Sequence, residues 1–142
     1  MKKIETIVVI NAPIEKVWAK LINFENHPNW NPFIKHISGD LRVGSKLTVE
    51  ISQHEKSNFT FKPLLKEVNP PFELRWVGKL FIKGLFDGEH FFILEKVNDG
   101  VTNFIHGEIF SGLLVPFTGK MIDETKFGFE KMNNALKAAC EN

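Results

Sequence analysis

The stretch HFFILEKVNDGVTNFIHGEIF, residues 90–110, is two apolar runs joined by Asn98-Asp99-Gly100. Asn and Asp before Gly tolerate the backbone of a tight turn, so this is a strong hairpin signal. Side chains along a strand alternate between faces, and the pairing register therefore decides which residues share a face. A three-residue loop over 98–100 pairs Val97 with Val101, Leu94 with Phe104, Phe92 with His106 and His90 with Glu108. A two-residue Asp99-Gly100 loop shifts the parity and pairs His90 with Ile109 instead. In the first register one face holds His90, Phe92, Leu94, Phe104, His106 and Glu108, continued by Phe110, and the other holds Phe91, Ile93, Ile105 and Ile109.

Working outward, Ile4–Ile10 is rich in β-formers and reads as a strand. Pro13 suits a first helical position, and Ile14, Val17, Trp18, Leu21 and Ile22 follow helical spacing up to about Asn23. The segment ENHPNWNPF, 25–33, is a bend with at most a short helix, pinned by Trp30 and Phe33, with His27 at the surface or in the turn. Alternation recurs in KLTVEIS (46–52), FTFKPLL (59–65) and FELRWVG (72–78), with Pro63 implying an edge or bulge and NPP (69–71) a turn. Pro116 opens the last element, where Phe117, Met121, Phe129, Met132, Leu136 and Ala139 form an apolar stripe. From Phe117 to Ala139 such a helix runs roughly 33 Å. The order is β, helix, short helix, about six strands and a long helix, which predicts an α+β fold with an antiparallel sheet of about seven strands curved around the long C-terminal helix.

The bulk numbers narrow the function classes. With 142 residues, 43% hydrophobic and 25% charged, the chain is expected to form one folded domain over residues 1–142. A net charge of +1 without basic clusters gives nucleic acid no electrostatic footprint. A lone Cys140 excludes an intrachain disulfide and reads as a bystander. No apolar run approaches transmembrane length and MKKIETIVVI lacks a cleavage site, so a cytoplasmic location and no stable membrane insertion are expected. Phosphate-loop, zinc-protease, deaminase, nucleophile-elbow and dinucleotide motifs are absent, so no cofactor and no metal is assigned.

Several segments carry a family resemblance: INAPIEKVW (10–18), WNPFI (30–34), PPFELRWVGKL (70–80), GLFDGEHFFILE (84–95), HGEIFSGLLVP (106–116) and GFEKMNNALK (128–137). Together with the order of elements they resemble the START-like, or SRPBCC, superfamily and its helix-grip fold, in a bacterial branch of polyketide cyclase/dehydrase type. The resemblance spans nearly the whole chain. It implies an internal pocket between the concave sheet face and the last helix. It also favours the three-residue loop, because the family pattern puts His90, His106 and Glu108 on that concave side. It transfers no catalytic residue.

The expected partner is a small hydrophobic molecule such as a lipid, an isoprenoid or a polyketide-like aromatic. Candidate lining residues are Trp30, Phe33, Phe61, Trp76, Phe86, His90, Phe92, Phe104, His106, Glu108, Phe110, Phe117 and Met121. Three roles stand open for His90, His106 and Glu108. They are a hydrogen-bonded fixture of the wall, with His106 bonded to backbone or water; a polar anchor for one end of a guest; or an acid–base set of cyclase or dehydratase type. Convergence of the three on a metal is the weakest reading. The apolar run KLFIKGLFDG, 79–88, reads as a lid over the pocket mouth or as a strand extension with a buried turn. The outward face of Phe91, Ile93, Ile105 and Ile109 is apolar enough for a homodimer contact. The resemblance adds a protein-interaction role of chaperone-activator type through that face.

Overall fold

The computed structural model describes residues 1–54, 57–79, 87–113 and 115–142. Strand β1 (Lys2–Ile10) leads to α1 (Ile14–Ile22), a single 3-10 turn and the short α2 (His27–Trp30). Seven strands follow: β2 (Ile34–Ser38), β3 (Thr48–His54), β4 (Ser57–Phe61), β5 (Leu64–Asn69), β6 (Glu73–Lys79), β7 (Asp87–Asn98) and β8 (Val101–Ser111). A 3-10 turn at Val115–Phe117 precedes α3 (Gly119–Glu141). Pro116 thus sits in the lead-in turn, and the 23 residues of α3 give it a length of roughly 34 Å. The eight strands exceed the expected seven by one, because Pro63 falls in the break between β4 and β5.

That break divides the strands into two antiparallel sheets, ordered β1-β8-β7-β6-β5 and β2-β3-β4. They meet at one corner, where Lys46 bridges Leu64 and the Leu47 amide donates to the Pro63 carbonyl at 2.8 Å. α1, α2 and α3 cover the concave side. Their buried faces, Val17, Trp18 and Leu21 from α1 and Ile122, Phe129, Met132 and Leu136 from α3, join the sheet's inward rows in one core. None of the helices is long and apolar enough to cross a membrane.

The β7–β8 hairpin settles the register. His90 faces Glu108, Phe92 faces His106 and Leu94 faces Phe104, as the three-residue loop requires. The turn itself is nevertheless two residues, closed by Asn98 opposite Val101, and the ladder slips between Lys96 and Asn98. A bulge at Val97 restores the parity that the short turn alone would reverse.

Two expectations fail here. The outward face does not expose Phe91, which is only 2% accessible. Its ring lies on Gly107, where any Cβ would overlap it, and is capped by the Arg75 guanidinium at 4.8 Å and the Lys3 ammonium at 5.5 Å. Arg75 is held in turn by Glu73 and Glu89 at 2.9 and 2.8 Å. The proposed contact patch therefore loses its centre, for Ile93, Ile105 and Ile109 are themselves only partly exposed. His27, read from sequence as a surface or turn residue, does lie in the bend, at the start of α2, but is 1% exposed. One ring nitrogen, Nε2, donates to the Leu21 carbonyl at 2.6 Å, and Nδ1 accepts from Asn31 Nδ2 at 3.0 Å. Asn31 Oδ1 accepts the Phe33 and Ile34 amides, both at 2.9 Å. This cluster stitches α1, α2 and the start of β2 together.

Candidate functional site

The site is built where β1, β8 and β7 face α3. Register puts Thr6 beside His106 on one side and Phe92 beside it on the other, with His90 and Glu108 one step further along the same face. From the helix, Phe129 stacks on the His106 ring with centroids 3.9 Å apart, and Asn133 reaches the same ring one turn later. Trp76 of β6 stacks on His90 at 4.9 Å. Gly88 matters because it has no Cβ: a methyl there would overlap the Glu108 carboxyl, so glycine leaves the acid its place.

A single chain of hydrogen bonds runs through the cluster, and its proton positions follow from one end. Thr6 Oγ1 lies 2.7 Å from the His106 carbonyl, which can only accept, so the hydroxyl proton is committed there. Towards Asn133, 2.8 Å away, Thr6 must then accept, which places the amide nitrogen on that side. Asn133 Oδ1 consequently faces His106 Nδ1 at 2.9 Å, and that nitrogen carries the proton. The neutral ring leaves His106 Nε2 bare, so the 2.8 Å contact to His90 Nε2 is donated by His90. His90 Nδ1 is left with a lone pair, 3.5 Å from Glu108 Oε1.

Electrostatics agree with this order. Both imidazoles are buried, at 4% and 0% exposure. Burial pushes His90 down to about 3; it takes His106 well below its ordinary range too, aided by repulsion from His90 and opposed by the Asn133 bond. Desolvation pushes Glu108 up to about 8. An ionised carboxylate would confront the His90 lone pair, whereas the neutral acid presents a proton to it.

The chain ends at a small enclosed space of about 30 Å³, lined by Phe33, Phe61, Trp76, Phe110 and Met121 with His90, Glu108 and Thr125, and by Ile34 and Ile51. That is room for one or two waters. The roomy interior expected from sequence is, among the described residues, largely filled by side chains. Phe92, Phe104 and His106 stand behind this wall in the packed core. Trp30 packs against His27 at 4.9 Å rather than lining the space. Phe86, with all but the ends of the 79–88 run, and the Phe117 side chain lie outside what is described. The His106 ring bonds to a side-chain amide and a second histidine, which differs from the backbone or water partner of the wall-fixture reading. No group of three His, Cys, Asp or Glu side chains among the described residues is gathered to hold a metal ion.

Sequence reasoning missed Thr6, Asn133 and Phe129. The signals were present: Thr6 interrupts the inward row Ile4, Val8 and Ile10, and Asn133 falls on the same stripe as Phe129, Met132 and Leu136. A polar residue at a core position needs a partner, and here they are partners of each other.

Comparison with known proteins matches this fold. A Streptomyces aromatase/cyclase, Zhui, superposes with a TM-score of 0.78 at 10% identity, covering 99% of this chain and 93% of that one. A START superfamily protein from Mycobacterium smegmatis gives 0.75 at 19% identity, covering 98% and 97%. No curated protein matches the sequence. The family described as polyketide cyclase/dehydrase and lipid transport matches residues 1–141. The chain belongs to that family, with the helix-grip architecture of the START-like superfamily.

Proposed function

We propose that the chain, acting as one domain, binds a small and mainly apolar molecule between the sheet and α3, with Glu108 and His90 holding its polar end. One observation carries this reading: a carboxyl and an imidazole, 3.5 Å apart, share the wall of a space otherwise lined mostly by Phe, Trp, Ile and Met. Such a pattern, apolar walls with a few convergent polar groups, is typical of ligand sites. The family's breadth, from cyclisation to lipid transport, supports it. A ligand site needs roughly 300 Å³ or more, against the 30 Å³ of the described space. Binding therefore requires the walls to part. The two sheets, joined at one corner, each give the space a wall residue, Phe61 of β4 and Trp76 of β6, and between them is where the walls can do so. Native mass spectrometry and methyl NMR with 2-naphthol and long-chain alcohols test the idea. A one-to-one complex that shifts the Met121 signal is expected; indifference to every aromatic and aliphatic guest contradicts it.

A second reading is acid–base chemistry of dehydratase type. Glu108 is a fitting proton donor near neutral pH, since its pKa of about 8 keeps it protonated. The base is the weak point. A His90 held near 3 is a feeble proton acceptor at pH 7, and the chain behind it ends on a carbonyl and offers no exit for a proton. Binding is thus the better supported function. A pH-dependent turnover abolished by both His106→Ala and Glu108→Gln in folded protein reverses that order.

A further inference from the structure

The binding reading leaves the guest's polar group unspecified, and the hydrogen-bond chain narrows it. Resting on that reading, we infer that the group anchored at the site is an uncharged hydroxyl, alcohol or phenol, and that carboxylates are rejected. The chain fixes every proton from Thr6 to His90, so His90 Nδ1 can only accept. The neighbouring Glu108 carboxyl brings a proton to the same spot and can donate. A group that satisfies both must donate once and accept once, which a hydroxyl does from a single oxygen. A ketone or ether that takes the Glu108 proton gives His90 Nδ1 none in return.

Charge argues in the same direction. No lysine or arginine is among the described residues lining the space. Among the described residues the two ionisable groups lining it, His90 and Glu108, are neutral, and so is His106 behind them. An anion would meet a lone pair with no counter-charge in a desolvated pocket. A fatty or aromatic acid would have to enter protonated, which at pH 7 costs it roughly 100-fold or more in affinity.

The test compares guests of one skeleton on the full chain at pH 7 by calorimetry: 2-naphthol, 2-naphthoate and naphthalene. We expect 2-naphthol to bind about 100-fold tighter than 2-naphthoate and about 10-fold tighter than naphthalene. His90→Phe should erase the preference for 2-naphthol over naphthalene while naphthalene still binds. Nitrogen NMR of isotope-labelled histidines in the unaltered protein needs no variant: it should find His106 protonated at Nδ1 and His90 at Nε2. The reversed tautomers, or equal affinity for 2-naphthol and 2-naphthoate, overturn the inference and leave ligand binding standing. If none of the three binds and long-chain alcohols are ignored as well, the inference falls together with the binding reading.

Discussion

Two buried histidine–asparagine clusters occupy this small molecule, and they differ at their ends. In the first, His27 and Asn31 spend their inward bonds on the Leu21 carbonyl and on the Phe33 and Ile34 amides, so both ends close on backbone. In the second, the end at Thr6 closes on the His106 carbonyl, but the other stops at His90 Nδ1, beside Glu108 and facing the enclosed space. The same residue types build a rivet in one place and a receptor in the other. Burial and hydrogen bonding alone do not separate a structural histidine from a functional one; where the chain of bonds terminates does.

Acid gives the largest effect and acts on both clusters. His27, His90 and His106 are all held below the ordinary imidazole range, chiefly by desolvation. Below pH 6.5 the unfolded chain binds protons that the folded one refuses, so stability falls with pH, by at most about 1.4 kcal/mol per pH unit for each such group. Glu108 has the opposite sign. Between 4.5 and about 8 the folded protein keeps a proton the unfolded chain has released, so stability falls as pH rises through that window. Three groups outweigh one below about pH 6.5, and the carboxyl acts alone above it. Chemical denaturation should therefore show a maximum near pH 7 and a steep loss towards pH 5. A flat profile removes the claim that the clusters are buried neutral.

Substitutions then separate the clusters. Asn31→Ala strips acceptors from two backbone amides and the donor from His27, and should cost about 3 kcal/mol while leaving affinity for 2-naphthol unchanged. Asn133→Leu removes the lock on the His106 tautomer and should cost about 2 kcal/mol, with loss of the preference for a hydroxyl guest. If Asn133→Leu lowers stability and leaves that preference intact, the two clusters are alike and the contrast between them is lost. Smallest is Glu108→Gln, which keeps shape and neutrality. Its stability at pH 5 should change by no more than about 1 kcal/mol, while the decline from pH 7 to pH 8 should disappear.

Much of this was legible in the sequence, for identifiable reasons. The period-two rows and the Asn-Asp-Gly turn left two registers open, and the family resemblance favoured the one that sets His90, Phe92, His106 and Glu108 on one face; that register holds, although the turn is two residues long and the Val97 bulge supplies the correction. Pro63 marked the place where the strands part into two sheets. What escaped depends on distant chain. Phe91 is hidden only because Gly107 on the next strand lacks a side chain and Arg75 and Lys3 reach over it from strands on either side. Nothing near His27 in sequence announces that it will bond to the end of α1. The site's lock joins Thr6 to Asn133 across nearly the whole chain, and only the folded register brings them within 2.8 Å.

The account stands on a carboxylic acid that remains protonated at neutral pH beside an unprotonated imidazole. Infrared difference spectroscopy of the carboxyl stretch, comparing the protein with Glu108→Gln across a pH titration, reads this directly. The account predicts a protonated-acid band at pH 7 that vanishes with a midpoint of about 8 and is absent from the variant. A Glu108 already ionised at pH 7, titrating near the ordinary 4.5, contradicts it.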